Sequence, residues 1–432
     1  MLFTLFTLGC KVNTYESDAI RELFFAEGWV ESKAGEIPDL VVINTCTVTS
    51  TAAKKSRQHI RKFRHAYPQA LLAVMGCYSQ EEGENVIADC GADLIIGTTH
   101  RKDIIQYIKT GLQNSKRQVI LDNNPREFDY EEIATLFQPL NSRAFVKIQD
   151  GCDNFCSYCI IPYVRGKSRS RDPQAVINEI KTLVKNGYQE IVITGIHTGG
   201  YGKDLPNYSF SKLIADILKN VPELLSLRIS SIEATEIDDD FLALLASYKN
   251  IANHLHIPLQ SGSETVLRRM NRRYRVADFL LTLQKIRHVR PTIAITSDVI
   301  VGFPGESDAE FISTKQFIEK AAFSELHVFP FSKRENTAAA SMPDQVDSAI
   351  KKKRVTELLN LSNQLQEKYA NNFIGETMDI LFEDYDSKTQ TYRGHASNYL
   401  QVHIKSPNDI RGQLKKIIYR GPFNSILKDD VF

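Results

Sequence analysis

From Met1 to about residue 115, short apolar runs alternate with segments whose apolar residues recur every three or four positions. LFTLFTL precedes a helical pattern over 15–28, LVVIN one over 51–66, LLAVM one over 80–89 and LIIG one over 102–112. Alternation of this kind predicts an α/β domain built on an open, largely parallel sheet with helices over it. The pattern fades over 116–141, where NNPREFDYEEIATLFQPLNS is polar, acidic and aperiodic, and predicts a linker. Over 142–371 the alternation resumes with AFVKIQ, EIVITG, LSLRIS, HLHIPL, IAITSDVIVG and LHVFPF. Six strand–helix units without a reversal predict a partial (β/α)6 barrel, with its chemistry on the loops after the strands. From 372 to 432 apolar and polar residues alternate between Gly- and Asn-bearing turns, which predicts a small antiparallel β-barrel.

Composition narrows the class. The 432 residues are 42% hydrophobic and 24% charged, as in a folded multidomain protein. No apolar run approaches the ~18 residues of a membrane span, and the first residues lack a basic, signal-like flank, so a cytoplasmic protein without a membrane partner is expected. The formal net charge of +1 conceals four basic runs: KKSRQHIRKFRH (54–65), GKSRSR (166–171), RRMNRRYR (268–275) and KKKR (351–354). Such runs suit an anionic partner such as RNA, or else solvated helix faces.

The seven cysteines form an odd set, so in a reducing compartment they point to metal or catalysis rather than to a disulfide framework. Cys10, Cys46 and Cys77 each end one of the first-domain apolar runs. Ligand sites in parallel sheets lie beyond the carboxyl ends of the strands, so these thiols are expected to converge despite their separation in sequence. Cys90 precedes a run instead and reads as a buried structural residue. In GCDNFCSYC, Cys152, Cys156 and Cys159 share one loop after the first barrel strand. Structural zinc takes four protein ligands, and no fourth Cys or His is adjacent in sequence. Three thiols leave a metal position open, as in an iron–sulfur cubane lacking one cysteine; a zinc site completed by a remote His is the alternative. Phe155 and Tyr158 are placed to shield a group held there.

CDNFCSYC after the first strand of such a series resembles the signature of radical S-adenosylmethionine enzymes. FTLGCKVNTYESD, VVINTCTVTSTAAKKSRQ, VMGCYSQ, LHIPLQSGSETVLRRMNRRY and SDVIVGFPGES extend the likeness to the methylthiotransferase family across essentially the whole chain. The resemblance implies two [4Fe-4S] clusters, an auxiliary one on Cys10, Cys46 and Cys77 and a radical one on Cys152, Cys156 and Cys159. It also implies S-adenosylmethionine on the open iron and a C-terminal TRAM domain that binds RNA. GCKVN and IPYVRGKSRSR most resemble the branch acting on tRNA N6-threonylcarbamoyladenosine beside the anticodon. Isopentenyladenosine in tRNA, a ribosomal-protein aspartate and a non-catalytic zinc-dependent RNA-binding role are the alternatives. The adenine C2 hydrogen is not acidic, so the implied chemistry removes it as an atom. The expected partners are a tRNA anticodon stem-loop and a flavodoxin- or ferredoxin-type electron donor, with the enzyme a monomer.

Further site residues are expected on the barrel loops. Gly195, Gly199 and Gly200 in TGIHTGGYGKD let backbone approach a ligand, by the resemblance the S-adenosylmethionine amino group. Glu233 is placed to reach the ribose. Gly302, Phe303 and Pro304 form an adenosyl wall, and Phe331 stands at the family's adenine-binding strand end. There Asn336 replaces the usual glycine, a change that a left-handed backbone tolerates. Arg165, Arg272, Arg273 and Tyr274 are candidate substrate contacts, since an anticodon loop is recognised by stacking and by cations. Tyr385, Tyr392, Tyr399 and Tyr419 add aromatic faces in the last domain.

Overall fold

The computed structural model of the chain describes residues 1–114, 117–122, 124–136, 138 and 142–427. The first sheet contains β1 (Leu2–Thr7), β2 (Val30–Glu31), β3 (Leu40–Thr45), β4 (Leu71–Gly76), β5 (Leu94–Ile96) and β6 (Gln118–Ile120) in the order β2-β1-β3-β4-β5-β6. Every pairing in it is parallel. All six positions of β3 and of β4 are buried because helices cover both faces of the sheet. Helix α1 (Lys11–Ala26) packs Ile20 and Phe24 on one face, and α2 (Ser50–Ala66) packs Ala53 and Ile60 on the other. Strand β6 falls inside the segment expected to be a linker; three residues are too few to show a periodicity. Residues 116, 123, 137 and 139–141 of that segment lie outside the described residues. The rest is a strap pinned to both neighbours: Tyr130 Oη donates to Lys147 O (3.0 Å), and the Ile133 carbonyl accepts from Tyr15 Oη (2.8 Å).

Strands β7 (Ala144–Asp150), β9 (Glu190–Gly195) and β10 (Ser226–Ile229) pair in parallel, with the two-residue β8 (Arg169–Ser170) antiparallel to β7. Strands β11 (His254–His256), β12 (Ala294–Val301) and β13 (Glu325–Pro330) form a second parallel set. A single parallel bridge, Leu227 to Ile251, joins the two sets into an arc of six strands in sequence order. The arc wraps a continuous apolar core that includes Ile148, Ile193, Leu227, Leu255 and Val299. It remains an open partial barrel among the described residues, and the long helix Ser348–Asn371 packs beside β13, where Leu326 N donates to Ser362 Oγ (2.9 Å).

The last domain holds β14 (Thr377–Asp386), β15 (Thr391–Ala396), β16 (Gln401–Ile404), β17 (Leu414–Ile418) and β18 (Ile426–Leu427) in the antiparallel order β16-β15-β14-β17-β18. The sheet is antiparallel throughout, as expected, and among the described residues it does not close into a barrel. Its closing strand β18 is only two residues long, and the edges meet through one backbone bond, His403 N to Pro422 O at 2.6 Å.

Candidate metal centres and the cavities between them

Cys10 caps the N-terminus of α1 after β1, Cys46 follows β3, and Cys77 opens α3 (Cys77–Glu82) after β4. β1, β3 and β4 are neighbours in one parallel sheet, so their carboxyl ends carry the three sulfurs to one place. The charge on Cys10 bears on Cys46, and those on Cys46 and Cys10 bear on Cys77. Glycine is needed before Cys10: at φ +109° a Cβ on Gly9 would lie 2.8 Å from the Cys46 Cβ and 3.2 Å from its sulfur. Burial pushes the Cys77 thiol up to about 12, against the opposing pull of Arg165. A buried thiol of this kind becomes an anion only when a cation or metal compensates it. Cys90 packs in the apolar core beneath α2, away from the trio.

The second trio lies on the loop from β7 to β8. Cys159 is half-buried, and desolvation pushes its thiol up to about 12, within the fields of Cys156 and Cys152. His197 hydrogen-bonds Cys152, while its Nε2 is 2.7 Å from Glu236 Oε1. Burial alone would lower the His197 pKa, but Cys152 and Glu236 outweigh it and raise it to about 10. Arg272 Nη1 stands 3.5 Å from Cys156 Sγ. Tyr158 is half-buried beside the loop, but Phe155, expected to shield it, is 39% exposed beneath the Arg126 guanidinium.

Two cavities lie against the trios. One, of about 260 Å³, runs from Val48 and Thr49 behind Cys46 to Tyr158 and Cys159, with Asp298 and Phe331 on its wall. The other, of about 360 Å³, is lined by Lys11 behind Cys10, by side chains along β11, β12 and β13, and by Tyr399 of the last domain. Asp298 belongs to both. Of the six cysteines only Cys159 lines one of these cavities, while Lys11 beside Cys10 and Val48 near Cys46 bring the first trio's neighbours to their walls.

Residues 146–318 match the Radical SAM superfamily and residues 3–97 match the Uncharacterized protein family UPF0004. The threonylcarbamoyladenosine tRNA methylthiotransferase MtaB of Bacillus subtilis is 43% identical over 98% of this chain and 97% of its own length. The chain belongs to the radical SAM methylthiotransferase family. The Thermotoga maritima protein named MtaB is 35% identical, covering 92% of this chain and 89% of its own. A tRNA-2-methylthio-N(6)-dimethylallyladenosine synthase of Caldicellulosiruptor saccharolyticus is 32% identical, covering 94% and 87%. Among solved structures, the radical S-adenosylmethionine methyltransferase TsrM of Kitasatospora setae shares the fold. Its TM-score is 0.59 at 14% identity, covering 78% of this chain and 77% of that one. Radical SAM methylthiotransferases use S-adenosylmethionine and [4Fe-4S] clusters. Two groups of three thiols, each with a cationic side chain at hydrogen-bond range of one sulfur, suit anionic thiolate-bound clusters.

The remaining expectations on this methylthiotransferase divide. Phe331 lines the smaller cavity, as an adenosyl contact would, but Gly302, Phe303 and Pro304 are buried behind it. Phe303 packs edge-on against Phe331 at 5.4 Å, and the Gly302 N–H donates to Glu306 Oε2 at 2.5 Å. The Cβ side of Gly199 and Gly200 is occupied by protein: added Cβ atoms would stand 2.2 Å from Glu236 Oε2 and 2.7 Å from His197 Nδ1. Gly195 lies against Gln149 in the same way. Glu233 lines a small cavity with one carboxylate oxygen ion-paired to Arg272, and Arg273 stays exposed on the rim beside them. Asn336 does adopt the left-handed backbone, at φ +64°.

Two corrections concern substrate contacts. Tyr274 is buried in the barrel core with its hydroxyl on the Leu259 carbonyl, so it offers no stacking face. Tyr419 is core as well. Arg165 is fully buried and joins the two domains: Nε donates to Cys77 Sγ (3.1 Å), Nη1 to Glu16 (2.9 Å) and Asp150 (3.0 Å), and Nη2 to Asn13 (2.9 Å). Sequence reasoning missed its partners in this seam. Arg101 pairs with Glu16 and Glu131, Arg171 with Glu179 and Glu132, and Arg334 donates to Thr47 (2.7 Å) and Glu81 (2.6 Å). The only signal was an excess of arginine after the triplet, which read equally well as an RNA surface. His197 was missed too, although it stands within the glycine-rich TGIHTGG.

Proposed function

We propose that this enzyme converts N6-threonylcarbamoyladenosine beside the tRNA anticodon to its 2-methylthio derivative. Cys10, Cys46 and Cys77 would hold an auxiliary [4Fe-4S] cluster, and Cys152, Cys156 and Cys159 the one that binds S-adenosylmethionine. Bound there, these groups supply one-electron chemistry and the methylthio sulfur. The protein's part is position and dryness: Arg165, Arg334 and the Tyr15–Glu179 contact hold the two trios at a fixed separation. Near-attack placement of this kind is worth roughly 7–11 kcal/mol. Because the adenine C2 hydrogen leaves as an atom, no chamber side chain is needed as a base.

One observation carries the choice of base. Every residue on the wall of the larger cavity is polar: Lys11, three histidines, Asp298, Glu325, Ser230, Thr296 and Tyr399. A threonylcarbamoyl group offers a carboxylate, a hydroxyl and ureido N–H groups to such a wall, whereas a dimethylallyl group would leave these groups desolvated without partners. The cavity volume lies within the ~300–1,000 Å³ usual for small-ligand sites.

The RNA face that fits is α2. Lys54, Lys55, Arg61 and Lys62 are exposed on it at one helical spacing, and its first turn lies beside Cys46 and bonds Ser332 and Lys333. By contrast, Arg269, Arg272 and Arg354 of the other basic runs are committed to Glu310, Glu233 and Glu306. Among the described residues no helix is long and apolar enough to cross a membrane. A monomer in the cytoplasm, reduced by a flavodoxin- or ferredoxin-type donor, completes the reading. Mass spectrometry of tRNA nucleosides from a deletion strain tests it: 2-methylthio-N6-threonylcarbamoyladenosine should vanish while its unthiolated precursor accumulates, and unchanged nucleosides reject the assignment.

A further inference from the structure

Lys11 follows Cys10 directly and turns into the polar cavity, not into the seam that consumes the neighbouring charges. Among the described residues no carboxylate lies within ion-pair distance of its ammonium. Of the two acids on this wall, Asp298 Oδ2 is 3.3 Å from His256 Nε2, and Glu325 stands beyond ion-pair distance of Lys11. The imidazoles opposite are fixed, since Thr296 Oγ1 is 2.9 Å from both His254 Nε2 and His256 Nδ1, and the His327 ring lies 5.5 Å from that of His256. Tyr399 closes the cavity from the last domain, edge-on to His254 at 4.5 Å, with a left-handed backbone at φ +63°. Burial, together with the charges of Arg228, His256, Lys11 and His327, holds the His254 pKa well below its usual value, so this ring faces the cavity uncharged.

We propose that Lys11 is the specificity-determining anchor for the carboxylate of the amino-acid substituent on the base, with His256 and His327 as its hydrogen-bonding neighbours. This rests on the substrate reading above and deepens it. An unpaired ammonium in a half-buried polar chamber leaves a strong site for one anion. A neutral substituent of the same shape leaves that ammonium unpaired, which is the arrangement that discriminates most strongly between analogues. His256, Asp298 and His327 also lie close enough to chelate a cation, but an adjacent ammonium opposes one.

The test uses the anaerobically reconstituted protein and two anticodon stem-loop RNAs, one bearing N6-threonylcarbamoyladenosine and one in which its carboxylate is a carboxamide. Binding is read by fluorescence anisotropy. Wild type should bind the acid roughly 10- to 100-fold more tightly than the amide, the usual worth of a charge-assisted bond. Lys11→Met should bring the acid to the level of the amide and leave amide binding unchanged, and Lys11→Arg should restore part of the preference. Equal binding of both RNAs by wild type overturns the proposal without need of any variant, even where Lys11→Met loses iron. Equal weakening of both RNAs by Lys11→Met also overturns it, as does one divalent ion per chain that His327→Ala releases. Failure of wild type to methylthiolate the acid RNA is a different result and rejects the substrate reading itself.

Discussion

Arg165 Nε, on the radical-domain loop, lies 3.1 Å from Cys77 Sγ of the first domain. A residue six positions from the second trio thus touches a sulfur of the first, so the geometry of the two trios is coupled through one guanidinium. The same group neutralises Glu16 and Asp150, all three being buried. Arg165→Met should therefore cost about 3–5 kcal/mol of stability, the usual penalty for stranding buried charge. Arg165→Lys should recover only part, because a single ammonium cannot reach all four partners. Denaturant unfolding of the apoprotein measures both.

Acid should undo this seam. Burial would raise the Glu16 and Asp150 pKa values, but for Glu16 the charges of Arg101, Arg165 and Lys147 win, and for Asp150 those of Lys147, Arg165, Arg169 and Arg101. Both carboxyls sit below their ordinary values of 4.5 and 3.8, so between the folded and unfolded values the unfolded chain binds more protons. The stabilisation is then complete above about pH 5 and is lost as pH falls through and below the ordinary carboxylate range, at ~1.4 kcal/mol per pH unit for each proton. The melting temperature should drop below pH 5, and Glu16→Gln should be less stable at neutral pH with a shallower acid slope. An acid slope that Glu16→Gln leaves unchanged would place the effect elsewhere.

Iron content separates ligand from structural cysteines. Cys46→Ala and Cys156→Ala should each lose about half of the iron and sulfide of the reconstituted protein, since each removes a thiolate from one cluster. Cys90→Ser should lose none, because its sulfur lies in an apolar core. Equal losses from Cys90→Ser and Cys46→Ala would refute the proposed ligand sets.

The basic face of α2 should govern affinity for RNA without governing choice of base. Replacing Lys54, Lys55, Arg61 and Lys62 by alanine should weaken stem-loop binding whether or not the base is modified. The salt dependence of log K should fall by about 0.7–0.9 for each phosphate contact removed. Unchanged affinity and slope would move the RNA to another surface.

Much was legible along the chain because it depends on short-range pattern. Each apolar run became a strand, and a cysteine at the end of a run in a parallel sheet has little choice of direction, so Cys10, Cys46 and Cys77 stand at the same end of three neighbouring strands. The spacing of Cys152, Cys156 and Cys159 within one loop is likewise local. Tertiary structure decided what charge and small size are for. Arginines 165, 169 and 171 read as an RNA patch until the fold buried them against carboxylates and carbonyls, local for Arg169 and Arg171 but more than a hundred residues away for Arg165 and Glu16. Gly199 and Gly200 read as ligand contacts until His197 and Glu236 filled the space above them. Lys11, at the start of α1, faces a cavity instead, a direction set by how α1 packs on its sheet and by how the first domain docks on the barrel. Pattern determines which residues form an element; only the packing of elements determines whether a charge meets a partner or a cavity.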